Sequence, residues 1–398
     1  MLISKTDNNG QVTLTLKGRL DTTSATKAND EIKRLLDACS DIRQLTCDAS
    51  QLEYISSSGL RILLSLSKRY PNFSIVEVSA DVYQVLDVTG FTKIMTVEKA
   101  LRHLSIEGCE LIGIGGVGEV YRIDGDTIIK VFREGTTLEE VRKEINLSKE
   151  AFIMGMPTAI SFDVVMVGSR YGLVYELLRA DTLSVCVARH PDQIDHYARL
   201  YANLFRQMHA IHVPRESLIP SAVAHEEWAI RHISRYFDSK SIDLMLQIVQ
   251  AVPKGDRLLH CDLQTKNAMM QNGELMLIDM GELGYGHPLT DLAHAYSAMV
   301  TLVGDYEKII GMPQELGIQL WERAIGYYFE GLPTEMVNHR KAQIEVVSTI
   351  RNFSWLSLSD SFPDELIREC VQLFDQRVAS RKDYILDVCS TLTDWELL

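Results

Sequence analysis

No two of the seven cysteines stand as Cys-x-x-Cys. Cys39, Cys47, Cys109, Cys186, Cys261, Cys370 and Cys389 are scattered, which argues against a zinc site or a disulfide framework and for reduced thiols. No apolar run reaches membrane-spanning length, and no basic-then-apolar leader opens the sequence. The expectation is a cytoplasmic protein with no membrane partner. Positive charge is in short supply: 40 Lys and Arg face 54 Asp and Glu, for a formal charge of −14. That balance argues against a nucleic-acid partner, yet it leaves room for a local basic pocket. With 46% hydrophobic and 24% charged residues, the 398-residue chain is ordinary for a globular protein and long enough for two or three cores.

The first hundred residues alternate strands and helices. Gln11 to Gly18 has strand periodicity, and Asp21 offers an N-cap to a helix carrying Ala28, Ile32, Leu35 and Leu36. Gln44 to Asp48 predicts a short strand. A helix follows from the serines at 56–58, with Leu60, Leu63 and Leu64 on one face, and Phe73 to Val78 predicts another strand. Ala80 to Leu86 and Val97 to Leu104 have helical patterns. An α/β sheet with helices on one side is expected. Leu52 and Ile55 belong to its core.

The stretch Asp48-Ala49-Ser50-Gln51-Leu52-Glu53-Tyr54-Ile55-Ser56-Ser57-Ser58-Gly59-Leu60 resembles the STAS domain, the fold of bacterial anti-sigma-factor antagonists. The resemblance covers residues 1 to about 105 and implies a protein partner. It also implies that Ser57, two places before the glycine, is a phosphorylation site. The family often has Asp before this serine, where this chain has Ser56. A helix N-terminus suits an added anion, but the same serines can simply cap the helix.

The pattern changes near Ser105, so residues 1–106 form a first expected domain. Residues 107–180 and 181–398 form the two lobes of a second, α+β unit. Gly113, Gly115, Gly116 and Gly118 sit in Gly-Ile-Gly-Gly-Val-Gly-Glu-Val, which includes G-x-G-x-x-G-x-V. Three glycines at this spacing are a weak signal alone. A Rossmann fold needs a helix next, whereas Glu119 to Ile123 and Thr127 to Phe132 predict two strands around a turn at Asp124-Gly125-Asp126. A glycine hairpin ending near a strand lysine, Lys130, is the kinase arrangement for holding phosphates. Leu138 to Met154 predicts a helix with Val141, Ile145 and Phe152 on one side. Its Glu144, or Glu140 one turn earlier, is the candidate partner of Lys130. Val164 to Val167 and Gly172 to Leu178 predict strands. The second leads to a hinge whose backbone at Glu176 and Leu178 is the candidate contact for adenine.

The rest reads as mostly helical, including Asp195 to His209, Glu226 to Phe237 and Ser241 to Val252. His209, His212 and His294 read as packing or helix-end residues. Within it, His260-Cys261-Asp262 is followed by Asn267 and, past the strand Leu275 to Ile278, by Asp279. An acid, an amide five residues on and a second acid after a strand divide phosphoryl-transfer chemistry between them. Asp262 orients or deprotonates a hydroxyl; Asn267 and Asp279 hold Mg²⁺ against the phosphates of ATP. His260 reads as a structural support of the loop, and Asp291 as both a helix cap and an anchor beneath it. Residues Glu282 to Thr290 form a loop too short for a peptide-docking segment, and no Ala-Pro-Glu follows. Residues 109 to about 398 therefore resemble the aminoglycoside phosphotransferase and choline kinase-like group, a bilobal protein kinase-like fold. The resemblance implies a small-molecule hydroxyl acceptor and a transferase with ATP and Mg²⁺. The group usually reads His-Gly-Asp where this chain has Cys261 in the middle. Trp321, Tyr327, Tyr328, Phe329 and Trp355 are read as core rather than acceptor pocket.

Overall fold

A computed structural model describes residues 1–39, 41–302, 304–358 and 362–395. The chain divides into two compact units, Met1–Leu104 and Ser105–Leu398.

In the first unit, β1 (Leu2–Asn8) and β2 (Gln11–Leu20) form an antiparallel hairpin. Asn9 and Gly10 both have positive φ, as a two-residue hairpin turn requires. Helices α1 (Thr22–Asp37), α2 (Ser57–Arg69) and α3 (Ala80–Val88) then carry the chain between parallel strands β2, β3 (Gln44–Ile55), β4 (Phe73–Val78) and β5 (Thr96–Lys99). The sheet order follows the chain, β1-β2-β3-β4-β5. Val12, Leu14 and Leu16 alternate into the core, where α1 adds Ala28, Ile32 and Leu36. Gly59 lets α2 lie close on the sheet: a Cβ there would come within 2.8 Å of Leu20 O.

Two expectations are corrected here. The strand begun at Gln44 does not stop at Asp48 but runs to Ile55, because Ala49, Leu52 and Ile55 keep feeding the core and β2 keeps pairing as far as Ile55. Val97 to Leu104 is not helical. β4 offers a free edge, and Val97 pairs with Ile75 across it, which suits a β-branched residue better than a short uncapped helix.

The second unit opens on an antiparallel sheet. The strands Glu110–Ile114, Gly118–Arg122 and Thr127–Phe132 are sequential neighbours, and Arg170–Glu176 joins the last of them, followed by Ser161–Val167. Helix α4 (Leu138–Ile153) lies against this sheet, started by a capping box between Thr137 and Glu140. Its buried face holds Val141, Glu144, Ile145, Ser148 and Ala151. Phe152 is not on that face and is 51% exposed, because Ala151 takes the fourth-turn position of the stripe.

Helices α5 (Leu183–Arg189), α6 (Ile194–His209), α7 (Ala222–His232) and α8 (Ser239–Ala251) follow. After two small antiparallel sheets come α9 (Pro288–Met299), α10 (Tyr306–Ile310), α11 (Gln314–Tyr328), α12 (Thr334–Ser354), α13 (Asp364–Arg377) and α14 (Lys382–Ser390). Helix α6 packs on α11 and α9 on α12, burying Tyr201, Phe205, Trp321, Tyr328 and Phe329 in one core. Tyr327 and Trp355 are half-buried at its margin. Helix α7 starts at Ala222, ahead of the expected Glu226, because Ser221 caps it. The expected loop at 282–290 contains the strand Gly284–Gly286, and α9 begins at Pro288 behind His287 as cap. Residues 396–398, within the expected helical tail, lie outside the described residues. Among the described residues, no helix is long and apolar enough to cross a membrane, and all seven cysteines are free.

Candidate active site

Lys130 points from the middle of its strand, in register with Val120 of the glycine hairpin and Leu173 on the other side. Its Nζ lies 2.9 Å from Glu144 Oε1 and 2.9 Å from Asp279 Oδ1. Of the two candidate glutamates, Glu144 makes this contact, whereas Glu140 is spent on the capping box of α4. Tyr175 donates its hydroxyl to the same Glu144 oxygen at 2.9 Å. Burial draws the Lys130 pKa down, but Asp279 and Glu144 outweigh it, and the net shift is upward. Asp279 shows the mirror effect: burial pushes its carboxyl up, and Lys130 brings it below its ordinary value. Lys130 is thus a fixed cation joining the sheet, α4 and the second acid.

The glycine hairpin closes through Gly115 N–H donating to Gly118 O at 2.8 Å. Gly118 has no room for a side chain, since a Cβ would stand 2.2 Å from Val131 O. Gly113 and Gly115 would meet only ordinary contacts at 3.7 and 3.8 Å, and Gly116 faces open space. The tip is therefore bare backbone, able to approach a phosphate closely. At the hinge, Glu176 N–H donates to Ile160 O and Leu177 N–H to Asp126 O. That leaves the Leu178 N–H, alone of the three, without a protein acceptor among the described residues.

The loop that carries Asp262 leaves the strand Arg257–Leu259 and is held from beneath. Asp291 accepts from Cys261 N–H at 2.8 Å and from His260 N–H at 3.2 Å, and lies 3.2 Å from His209 Nε2. Asp291 anchors the loop but does not cap α9, a role His287 fills. Burial raises its carboxyl and the His209 contact lowers it further, so the net shift is downward. His260 is fully buried, its Nε2 3.2 Å from Ile278 O. His294 donates Nδ1–H to Cys261 O at 2.8 Å. His212, by contrast, is exposed and pairs with Asp256. Cys261, at the position where a glycine was expected, has φ +62°, a left-handed conformation costing a side-chain-bearing residue about 1–2 kcal/mol. Its N–H bond to Asp291 and the bond its carbonyl accepts from His294 hold it there.

Asn267 donates Nδ2–H to Asp262 O at 2.8 Å and to Asp262 Oδ2 at 3.0 Å. The amide is thereby oriented, and its Oδ1 remains for a cation. Asp279, also at positive φ, has one oxygen on Lys130 and the other uncommitted. Two hard oxygen donors are of the kind that fit Mg²⁺. Among the described residues, no group of three or more His, Cys, Asp and Glu is placed to hold a metal by itself. Burial pushes the Asp262 carboxyl above its ordinary value, and Arg351 opposes this only in part.

Several side chains at the site carried no sequence signal. Arg351, on α12, brings Nη2 to 3.9 Å from Asp262 Oδ1 and Nη1 to 3.7 Å from Glu226 Oε1. Glu226, on α7, also meets His294 Nε2 at 2.9 Å. Tyr175 was read only as a strand residue. Ser57, in the first unit, is exposed at the first turn of α2, while its neighbour Ser56 takes the cap and accepts from Gly59 N–H.

Residues 3–103 match the STAS domain, and residues 109–323, more than half of the chain, match the phosphotransferase enzyme family. No curated protein matches the sequence. Among solved structures, the ADP-bound aminoglycoside phosphotransferase APH(2'')-Ib is 14% identical, with a TM-score of 0.46 over 68% of this chain and 92% of that one. An aminoglycoside-3'-phosphotransferase of type VIII is 20% identical, with a TM-score of 0.45 over 62% and 94%. A choline/ethanolamine kinase family protein from Mesorhizobium loti is 16% identical, with a TM-score of 0.45 over 71% and 92%. On the family match over most of its second unit, behind a STAS domain, the chain belongs to the phosphotransferase enzyme family.

Proposed function

We propose that the protein is an ATP- and Mg²⁺-dependent phosphotransferase acting on a hydroxyl of a small molecule, with its STAS domain as a regulatory module. The observation that carries this reading is Lys130 Nζ held at 2.9 Å by both Glu144 and Asp279. It links the glycine hairpin, α4 and the Asp279 turn at one point, where a triphosphate can be gripped from several sides.

In this reading the hairpin backbone around Gly115 and Gly116 and the Lys130 ammonium bind phosphates, and the Leu178 N–H binds the base. Asn267 Oδ1 and the Asp279 carboxylate are the donors for Mg²⁺, which supplies charge neutralisation at the phosphates. Asp262 orients the acceptor hydroxyl and takes its proton as the new oxygen–phosphorus bond forms. The bond from the γ-phosphorus to the β–γ bridging oxygen breaks, and ADP leaves with that electron pair. Positioning and electrostatics carry the rate. The reading places the reaction in the cytoplasm, without a nucleic-acid or membrane partner.

Asp262→Ala tests it. The variant is expected to fold and to bind ATP but to transfer nothing to any acceptor; turnover at the wild-type level contradicts the reading.

A second reading is favoured by the exposure of Ser57 at the start of α2. The kinase-like unit would then phosphorylate or otherwise regulate the STAS serine and report nucleotide to a protein partner. Intact mass after incubation with ATP and Mg²⁺ checks it: an added phosphate that Ser57→Ala abolishes supports it, and an unchanged mass counts against it.

A further inference from the structure

Glu144 takes two donors on one oxygen. Lys130 Nζ and the Tyr175 hydroxyl each lie 2.9 Å from its Oε1. They come from adjacent antiparallel strands. Tyr175 stands two residues along from Leu173, the register partner of Lys130, so both side chains leave the sheet on the same face. Glu144 meets them from α4, with only 9% of its side chain exposed. A carboxylate so sheltered is held by its donors. Burial, and then the charge of Glu144, push the Tyr175 hydroxyl well above its ordinary value, so it keeps its proton and acts as a donor.

Lys130 is shared more widely. Its ammonium also lies 2.9 Å from Asp279 Oδ1, and Asp279 is a proposed donor for Mg²⁺. A cation on that carboxylate draws on the charge that now faces Lys130. Glu144 is then the acid that belongs to Lys130 alone, and the Tyr175 hydroxyl fixes the oxygen that Lys130 grips. The body of α4 has its own tether nearer its C-terminal end, where Glu150 accepts from Leu218 N–H at 3.1 Å and from the Ser217 hydroxyl. Losing the Tyr175 hydroxyl therefore loosens the Glu144 side chain and leaves the helix in place.

We propose that Tyr175 is a positioning residue for the nucleotide: through Glu144 Oε1 it holds the Lys130 ammonium in place for the phosphates of ATP when Asp279 serves Mg²⁺. The inference deepens the phosphotransferase reading above and rests on it. It gives the hydroxyl a role that packing of the ring does not need.

The test is equilibrium binding of a non-hydrolysable ATP analogue to the full chain, with and without Mg²⁺, for the wild type and Tyr175→Phe. Phenylalanine keeps the ring and removes only the hydroxyl. With Mg²⁺, Tyr175→Phe is expected to bind the analogue at least about fivefold more weakly than the wild type. Without Mg²⁺, where Asp279 still grips Lys130, the two are expected to agree within about twofold. A residue that only filled space would change the melting temperature and leave both affinities alone. Affinities that agree within about twofold under both conditions, or the same loss with and without Mg²⁺, overturn the proposal. Tyr175→Met, also without a hydroxyl, is the second variant and decides the question should Tyr175→Phe fail to fold. A wild type that binds no analogue sinks the phosphotransferase reading and this inference with it. A wild type that binds, matched by a folded Tyr175→Phe, sinks this inference alone.

Discussion

At the scale of single residues, the site is a set of carboxylates held in unequal surroundings. Asp279 and Glu144 both pair with one lysine, whereas Asp262 sits where burial pushes its carboxyl up. A carboxyl that holds its proton more tightly in the folded chain favours folding at acid pH. That contribution disappears as pH climbs through its raised value, so ionised Asp262 is a net cost at neutral pH. Asp262→Asn is therefore expected to melt roughly 1–4 °C above the wild type at pH 7. The difference should shrink at acid pH, where the carboxyl takes up its proton. Thermal denaturation at both pH values checks this, and a variant that melts lower at pH 7 contradicts it. Lys130 could be singled out from sequence by the glycine hairpin before it, and Asp262, Asn267 and Asp279 by their spacing along one loop and one strand. Arg351, Glu226 and Tyr175 could not. They reach the same place from other elements, and nothing local distinguishes them from ordinary helix and strand residues.

At the scale of elements, the glycine hairpin separates sterically required glycines from open ones. Gly118 is blocked by Val131 O, whereas a Cβ at Gly116 meets nothing within 4 Å. Gly118→Ala is expected to cost about 1–3 kcal/mol of stability through overpacking and to weaken nucleotide binding. Gly116→Ala should stay within about 0.5 kcal/mol of wild type in stability. Denaturant titration of the two variants checks the contrast; equal losses contradict it. Elements with a strong period were legible: α1 behind its Asp21 cap, α4 from Leu138, α6 up to His209. Other segments were misplaced. Val97 to Leu104 has a helical spacing of apolar residues, but the open edge of β4 claimed its start, within Thr96–Lys99, as strand. The residues up to Thr290 were expected as loop, whereas His287 caps α9 and Pro288 is its first residue. Phe152 was expected on one side with Val141 and Ile145, while the buried stripe of α4 runs through the smaller Ala151.

At the scale of the whole molecule, the chain is two units, each with its own core. Residues 1–104 produced alone are expected to unfold in one cooperative transition; a broad non-cooperative melt contradicts the independence of the first core. The order of the two domains was legible because a sheet-and-helix alternation gives way at one point to a glycine hairpin. The side chains around Asp262 were not, because residues such as Arg351 reach the loop only once the helices fold. The central claim is that the glycine hairpin, Lys130 and the acids of the catalytic loop and the following turn form one seat for Mg²⁺ and a nucleoside triphosphate. The most direct test is ATP affinity measured by calorimetry with and without Mg²⁺, in the wild type and in Asp279→Asn. Affinity in the wild type should rise at least about tenfold on adding Mg²⁺, and Asp279→Asn should lose that rise while remaining folded. No ATP binding in the wild type, or the same Mg²⁺ dependence in both proteins, would contradict the claim.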